Sequence, residues 1–343
     1  MPKQISRFGT VARRQQALFR NTLSNEAQSP YDIKGLRNPH LLAHGCELEN
    51  LYPTLRGNDG ALKFFKDRKI PWWNSSRSGD RSTKSGYEGP TRNLAGSQVA
   101  CVNFLLPLAR IDGALVAFLQ CIDNDVKNVV PIVDKAENSS LVEFEWVGLE
   151  EPLEGGKITR GANQTSIDAL LVAQTDNGLR AYLFEWKYCE EYLHSEDRGQ
   201  GLAGKTRRNR YQKLYEDSNS SFNKAAPFYD FLFDPFYQIM RMCLLADRML
   251  ERGITRKLSI HESRVIVMCP KENFDYRFVV KNTPLERRFP NLNTVEEIVR
   301  TALKEPDSFS VSAQEDIIAK LRVSPVAKKL EPWLEYHRIR YKW

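Results

Sequence analysis

The stretch Thr165–Glu190, TSIDALLVAQTDNGLRAYLFEWKYCE, decides the fold of this chain. Its two halves are rich in β-branched, aromatic and other apolar residues, which favour β-strands, and Asp176-Asn177-Gly178 separates them. An Asn-Gly pair between two apolar runs is a strong signal for a tight hairpin turn. We therefore predict an antiparallel hairpin with strands Ser166–Thr175 and Arg180–Tyr188.

Three charged residues interrupt these strands. Asp168 lies in the first strand, and Glu185 and Lys187 lie in the second. Because side chains alternate along a strand, Glu185 and Lys187 share one face, and a turn with an even number of residues puts Asp168 on the same face. With Asn177-Gly178 at the corners of the turn, Asp168 is expected opposite Lys187. A loop with an odd number of residues would separate Asp168 from the other two.

Two carboxylates and an ammonium group on one half-buried face cost free energy unless something compensates them. A divalent metal ion does so, and the oxygens of Asp168 and Glu185 suit Mg²⁺ while leaving positions for water and a phosphate oxygen. Such a metal polarises a phosphate and lowers the pKa of a bound water. Lys187 would then stabilise developing negative charge or position the attacking water. The residues predict phosphodiester hydrolysis, and the alternative is a surface hairpin with an ordinary ion pair.

Asp168 followed by Glu185-Trp186-Lys187 resembles the D…(D/E)-x-K signature of the PD-(D/E)XK nuclease superfamily, which includes restriction endonucleases and many repair nucleases. The tripeptide pattern occurs four times in this sequence, but only residues 185–187 end an apolar strand that follows another strand bearing an Asp. The resemblance implies that Asp168 and Glu185 hold Mg²⁺, for which Mn²⁺ can substitute, and that Lys187 assists the attack. Ile167 stands where the superfamily often has a Pro, at a variable position.

The segments around the hairpin follow the order of elements in that superfamily. The sequence predicts a largely buried helix over Leu94–Ala109, an alternating strand over Leu141–Val147, a helix over Asp234–Leu250 with Asp234 as its N-cap, and a strand over Arg264–Cys269. With the hairpin, this is a restriction endonuclease-like α/β fold with an αβββαβ core, a mixed sheet flanked by helices, over residues 94–270. Residues 1–93 and 271–343 are expected to be mostly helical extensions, the first ending in a flexible loop.

Polar residues in these helices and strands are further candidates for the site. Gln98 stands in the first helix, where several branches of the superfamily have a Glu, and this departure weakens a two-metal interpretation. Gln238 matches the later Gln of RecB-like nucleases in type and placement. We expect Gln98 and Gln238 in the catalytic site, with Glu145 and Asn103 supporting it; for Asn103 the alternative is a hydrogen bond in the core. These residues also resemble a little-characterised bacterial group within the superfamily.

Basic residues interleaved with Ser and Gly mark two segments, residues 71–93 and 189–213. Both are interpreted as flexible segments that contact nucleic-acid phosphates, with solvated loops as the alternative. Trp72-Trp73 is available either for base stacking or for the core. The residues predicted to bind nucleic acid are Arg77, Arg81, Lys84, Lys205, Arg207, Arg208 and Arg210.

The composition argues against a membrane protein, a secreted protein and a zinc-binding protein. The chain has 343 residues, with 50 Lys and Arg against 43 Asp and Glu, and the net charge of +7 is compatible with a polyanionic partner. No apolar run approaches the roughly 20 residues that span a bilayer, and the first residues lack the apolar region of a secretory signal. The six cysteines are scattered without a C-x-x-C pair, which predicts reduced thiols and no zinc site. We expect a cytoplasmic protein that does not bind membranes.

These observations favour a Mg²⁺-dependent nuclease that acts on double-stranded DNA, as an endonuclease in restriction, repair or anti-phage defence. A homodimer would supply a second active site for the second strand. Two alternatives stay open. One is a catalytically inactive nucleic-acid-binding protein with the PD-(D/E)XK fold, which the missing helix Glu supports. The other is an RNA-directed nuclease, since single-stranded RNA is often read by aromatic stacking and Trp72-Trp73 offers such a surface.

Overall fold

The computed structural model describes residues 7–28, 32–33, 36–73, 88–134, 137–148, 152–155, 164–190, 192, 197–255, 257–278 and 283–343. The helices there are α1 (Arg7–Arg20), α2 (Asn25–Gln28), α3 (Ala61–Asp67), α4 (Ser97–Leu108), α5 (Ala114–Gln120), α6 (Gly201–Glu216), α7 (Phe236–Arg252), α8 (Phe274–Arg277), α9 (Pro284–Arg288), α10 (Val295–Ala302), α11 (Gln314–Leu321) and α12 (Ala327–Tyr341). The strands are β1 (Asp32–Ile33), β2 (Leu36–Arg37), β3 (Asn128–Val130), β4 (Ile132–Val133), β5 (Ser139–Ser140), β6 (Glu143–Trp146), β7 (Ile167–Thr175), β8 (Gly178–Trp186), β9 (Glu262–Met268) and β10 (Phe309–Ser312).

A mixed six-stranded sheet forms the centre of the fold. Its order is β10-β9-β8-β7-β3, and β6 pairs with another part of β7. The β7–β8 hairpin is antiparallel, whereas β9 joins β8, and β10 joins β9, in parallel. The succession α4, β6, β7, β8, α7, β9 confirms the predicted αβββαβ order and the mixed α/β fold class. α6 is an additional helix between β8 and α7.

The turn of the hairpin lies one position earlier than predicted. Thr175 pairs with Gly178, so the corners of the turn are Asp176 and Asn177. The Thr175 hydroxyl accepts the N–H of Asn177 at 3.2 Å and donates to the carbonyl oxygen of Gly178 at 2.9 Å. Gly178 itself has φ +110°, which favours glycine. The glycine therefore begins the second strand instead of forming a corner.

This register changes the predicted partner of Asp168 but keeps Asp168 on the same face of the sheet as Glu185 and Lys187. Ala169 pairs with Phe184, and by continuation Asp168 lies level with Glu185. The predicted pairing of Asp168 with Lys187 is therefore wrong. The turn still contains an even number of residues, so Asp168, Glu185 and Lys187 point to the same side of the sheet.

Each face of the sheet is covered by its own core. Tyr182, Phe184 and Trp186 pack on the side of α4, α5 and α12, whereas Ala181 and Leu183 pack on the side of α7. Burial of a large apolar side chain stabilises a fold by roughly 1.5–3 kcal/mol, so these residues fix which face each strand presents. Glu185 consequently faces α7, whereas Arg180 lies on the opposite face and contacts Asp123 together with Tyr182.

β6 differs from the alternating strand that was predicted, because all four of its residues are buried. Glu143 is paired with Arg68, whose Nε lies 3.1 Å from Oε1 of the carboxylate. Glu145 has φ +49°, a left-handed conformation that costs a non-glycine residue on the order of 1–3 kcal/mol. Phe144 and Trp146 belong to different cores, so the regular alternation is broken at Glu145.

The basic segment 189–213 was predicted to be flexible, and its larger part is the helix α6. The glycines that suggested flexibility have a packing role at one position: a Cβ on Gly204 would lie 1.9 Å from the carbonyl oxygen of Gly199. Only glycine permits this close approach of two backbone segments.

The predicted N-cap of α7 is also wrong. The residue at the N-cap position is Pro235, and no side chain in the described part of the chain caps this end of the helix. The carboxylate of Asp234 instead accepts a hydrogen bond from Nε of Arg198 at 2.7 Å. Capping by Asp is therefore replaced by an ion pair with a residue far away in the sequence.

The division into segments 1–93, 94–270 and 271–343 stays a prediction. The core on the α4 side contains residues of all three, including Phe19, Phe104 and Trp333. None of the helices in the described ranges is long and apolar enough to cross a membrane.

Candidate active site

A cavity of about 580 Å³ lies beside the ends of β6, β7 and β8, between α4 and α7. Six of the residues predicted for the site line it together: Gln98, Glu145, Asp168, Glu185, Lys187 and Gln238. They come from five separate elements or their ends, so the sheet and the two helices assemble the cavity jointly.

Asp168 is anchored to the backbone of the neighbouring strand. Its Oδ2 accepts a hydrogen bond from the N–H of Trp186 at 2.7 Å. Burial, and then the negative charges of Glu185 and Glu145, raise the pKa of Asp168 well above its ordinary value. A carboxylate in this position needs a positive charge nearby to stay ionised at neutral pH.

Glu185, Lys187 and Gln238 form a closed set of contacts. Lys187 Nζ lies 2.7 Å from Glu185 Oε1 and donates to Gln238 Oε1 at 3.0 Å. The amide nitrogen of Gln238 donates to the same Glu185 oxygen at 2.6 Å. Burial alone would lower the pKa of Lys187, but the charge of Glu185 outweighs it and the pKa lies well above its usual value. The lysine is therefore a fixed cation in the cavity.

The second oxygen of Glu185 is available for a ligand. Oε2 is buried and has no hydrogen-bond partner among the described residues, and a buried carboxylate oxygen without a partner is costly. No group of three or more His, Cys, Asp or Glu side chains in the described ranges is arranged to hold a metal ion. The residues that could hold one are accordingly the pair Asp168 and Glu185, whose hard oxygens fit Mg²⁺ or Mn²⁺ and leave most coordination positions for water and substrate.

Gln98 holds Glu145 at the edge of the cavity. Its Nε2 donates to Glu145 Oε1 at 2.9 Å and to the carbonyl oxygen of Pro71 at 3.1 Å, and its Oε1 accepts the N–H of Trp73 at 2.7 Å. The hydroxyl of Ser166 donates to the other oxygen of Glu145 at 2.9 Å. Burial raises the pKa of Glu145 to about 7, although these hydrogen bonds oppose the shift.

Asn103 does not reach the cavity. Its Oδ1 accepts the N–H of Tyr52 at 2.7 Å, and its Nδ2 donates to the carbonyl oxygen of Asn50 at 2.9 Å and to the hydroxyl of Tyr336 at 3.2 Å. These are the hydrogen bonds in the core that the sequence left as the alternative.

The basic residues predicted to bind nucleic acid divide into two groups. Arg77, Arg81 and Lys84 lie outside the described residues. On α6, Lys205 and Arg210 are exposed. Arg207 donates to the carbonyl oxygen of Arg198 at 2.8 Å, and Arg208 to that of Gly199 at 2.6 Å. The latter two therefore also hold the start of the helix in place.

Sequence reasoning missed two arginines that line the cavity, Arg13 on α1 and Arg241 on α7. Arg241 follows Gln238 by three residues, and this helical spacing places both on one side of α7. That spacing was a usable signal. Nothing in the sequence connects Arg13 with the hairpin, since more than 150 residues separate them.

A comparison with models of protein families matched residues 73–342 to the family described as Restriction Endonuclease associating with ARP. The matched range includes the whole sheet and the six predicted residues that line the cavity, and it leaves α1 outside. Comparisons with curated proteins and with solved structures found no significant match.

Proposed function

Since this chain belongs to the family Restriction Endonuclease associating with ARP, we propose that it is a metal-dependent nuclease of the PD-(D/E)XK superfamily that hydrolyses phosphodiester bonds. Membership of a restriction endonuclease family supports a nuclease function in general. The observation that carries the finer proposal is the convergence of Asp168, Glu185 and Lys187 in one cavity at the end of the hairpin.

Asp168 and Glu185 are the proposed ligands of Mg²⁺, and Mn²⁺ is expected to substitute. The unpartnered Oε2 of Glu185 in the described chain and the raised pKa of Asp168 support this role. Lys187 compensates one of the two carboxylates, so a divalent cation would stabilise the ionised form of the second and give Glu185 Oε2 a partner. When bound, the metal ion would polarise the phosphate and lower the pKa of a water molecule.

Lys187 is proposed to stabilise the negative charge that develops on the phosphate or to position the attacking water. Glu185 and Gln238 hold its Nζ from two directions. An ammonium group has three N–H donors, so one remains for a substrate oxygen. A donor fixed before the reaction needs no reorganisation when charge develops, and such preorganisation commonly contributes several kcal/mol.

The proposed substrate is double-stranded DNA, cut internally, in restriction, repair or anti-phage defence in the cytoplasm. The net charge of +7 and the basic helix α6, with Lys205 and Arg210 exposed, support attraction to a phosphate backbone. A homodimer is part of the proposal, because two active sites are needed to cut both strands without rearrangement.

Two observations support other functions. Trp73 lines the cavity and offers a surface for stacking an unpaired base, which would favour single-stranded DNA or RNA as substrate. Gln98 stands where several branches of the superfamily have a Glu, and its amide donates a hydrogen bond to Glu145. This second arrangement favours a nucleic-acid-binding protein without turnover.

The test is cleavage of supercoiled plasmid with Mg²⁺, with Mn²⁺ and with EDTA. Lys187→Ala is compared with Lys127→Ala, since Lys127 directly precedes β3 and pairs with Asp176 in the turn of the hairpin, at the end away from Lys187. We expect metal-dependent cleavage by the wild type and Lys127→Ala and its loss in Lys187→Ala. Equal cleavage by both variants would contradict the proposed site. Tight DNA binding without cleavage of plasmid, linear DNA, single strands or RNA would support the binding protein.

A further inference from the structure

Three cationic side chains line the cavity in the described part of the chain: Arg13, Lys187 and Arg241. Lys187 is already held by Glu185. The guanidinium of Arg241 lies 4.9 Å from the ring centroid of Tyr237, and its buried Nε has no hydrogen-bond partner among the described residues. Arg13 makes no hydrogen bond or ion pair within the described ranges. Arg13 therefore presents an uncompensated guanidinium to the cavity, and Arg241, which is hydrogen-bonded to Tyr211, keeps one N–H without a partner in the described chain.

Arg13 is held at the cavity by the packing of α1. Gln16, one helical turn later, is fully buried, and its Nε2 donates to the hydroxyl of Tyr188 at 2.8 Å and to the carbonyl oxygen of Arg340 at 3.0 Å. Residues three apart lie on the same side of a helix. Tyr188 directly follows Lys187 in the chain, so α1 is fastened to the segment that carries the proposed catalytic lysine.

The described carboxylates around the cavity do not neutralise the charge of Arg13. The carboxylates that line the cavity include Glu145, Asp168, Glu185 and Glu190, and none of them pairs with it. Burial is the main cause that lowers the pKa of His40 to about 4, and the positive charges of Arg13 and Arg20 add to it. A phosphodiester group would supply the missing anion, and the planar fork of a guanidinium matches two phosphate oxygens.

We propose that α1 is part of the substrate site, and that Arg13, together with Arg241, binds phosphates of the nucleic-acid backbone next to the bond that is cut. This role rests on the proposed nuclease function, and it adds a substrate-binding element outside the range 73–342 that matches the family. Arg13 acts on binding, whereas Lys187 acts on the reacting phosphate.

The test compares Arg13→Ala with Arg14→Ala, since Arg14 is an exposed neighbour on the same helix. Binding of short duplex DNA is measured in EDTA as a function of salt, and cleavage is measured in Mg²⁺. For Arg13→Ala we expect roughly tenfold weaker binding and a salt dependence of log K that is about 0.9 less steep, the amount for one phosphate. KM should rise while kcat changes little. Arg14→Ala should match the wild type.

Arg13→Lys and Arg241→Gln complete the experiment. The lysine variant should restore the salt dependence but only part of the affinity, because an ammonium group cannot form the bidentate contact. Arg241→Gln should reduce the salt dependence by a similar amount. If the wild type cleaves DNA and Arg13→Ala and Arg241→Gln bind as it does, the role of α1 is overturned and the nuclease function stands. If the wild type neither binds nor cleaves nucleic acid, both proposals fail.

Discussion

Asp168 accepts a hydrogen bond from the backbone N–H of Trp186, with 2.7 Å between Oδ2 and the nitrogen. Trp186 stands between Glu185 and Lys187, so this single bond fixes Asp168 to the segment that carries the other two charged residues. The side chain of Trp186 is fully buried in the opposite core. The position of Asp168 therefore depends on the packing of a tryptophan on the far side of the sheet.

The variant Asp168→Asn should separate the effect of the negative charge of Asp168 from the effect of its hydrogen bond to Trp186. An amide oxygen can still accept the N–H of Trp186, but the negative charge is lost, so we expect metal-dependent cleavage to fall by about a hundredfold or more. The pKa of Asp168 is raised in the fold, which means that its ionised form destabilises the folded state at neutral pH. Thermal melting without divalent ions should consequently show a higher Tm for the variant. Asp176→Asn, at the turn, is the control; a lower Tm for Asp168→Asn would contradict this account.

Gln238→Ala should loosen the ion pair between Glu185 and Lys187. The variant removes one hydrogen bond to each partner, and loss of a residue that orients catalytic groups commonly costs tenfold to a hundredfold in activity, as an order of magnitude. We expect kcat to fall by roughly this factor while Tm decreases only slightly. Gln212→Ala on α6 serves as the matched control. Unchanged kcat in Gln238→Ala would remove this glutamine from the site.

Gln98→Glu tests how the cavity depends on the missing carboxylate. The amide nitrogen of Gln98 lies 2.9 Å from Glu145, so a carboxylate there would repel Glu145 where the amide now donates to it. We expect a lower Tm in EDTA and a larger rise in Tm on addition of Mg²⁺ or Mn²⁺ than in the wild type. Melting curves across a metal titration measure both effects. Equal metal responses would show that position 98 does not face the metal site.

Asp247 should make stability depend on pH away from the site. Burial raises its pKa to about 6, and its Oδ2 accepts the N–H of Ser221 at 2.9 Å. Because the folded state binds the proton more tightly than the unfolded state, Asp247 contributes stability as pH falls from about 6 toward 3.8, and it destabilises the fold above 6. Asp247→Asn should therefore be more stable by about 1–2 kcal/mol at pH 7.5, with no gain near pH 4. Urea titrations at both pH values measure the difference.

The sequence was sufficient to predict the structure where the interactions that determine it join residues close together in the chain. Strand alternation and an even-numbered turn place Asp168, Glu185 and Lys187 on one face. The exact corners were missed because the hydroxyl of Thr175 bonds to both Asn177 and Gly178 and so selects Asp176-Asn177. A preference for Asn-Gly corners cannot anticipate that competing pair of hydrogen bonds.

Contacts between residues far apart in the sequence explain the other differences between the predicted and the observed structure. Asp234 was expected to cap a helix by its local pattern, but Arg198 approaches it from 36 residues earlier. Gly204 was read as flexible, although its lack of a side chain is what lets α6 approach Gly199. Arg13 reaches the cavity because α1 packs on the core and its Gln16 binds to Tyr188 and Arg340. Such pairings depend on the complete fold, and no periodic pattern in the sequence indicates them.

The hydrogen bond from Gln16 to the carbonyl oxygen of Arg340 joins residues 324 positions apart. During synthesis, α1 leaves the ribosome long before α12 exists, and it has no completed surface on which to pack. The contacts of α1 with α12 can therefore form only after nearly the whole chain has been made. A partly synthesised chain would already contain Asp168, Glu185 and Lys187 while the helix that carries Arg13 still lacked its contact with Arg340.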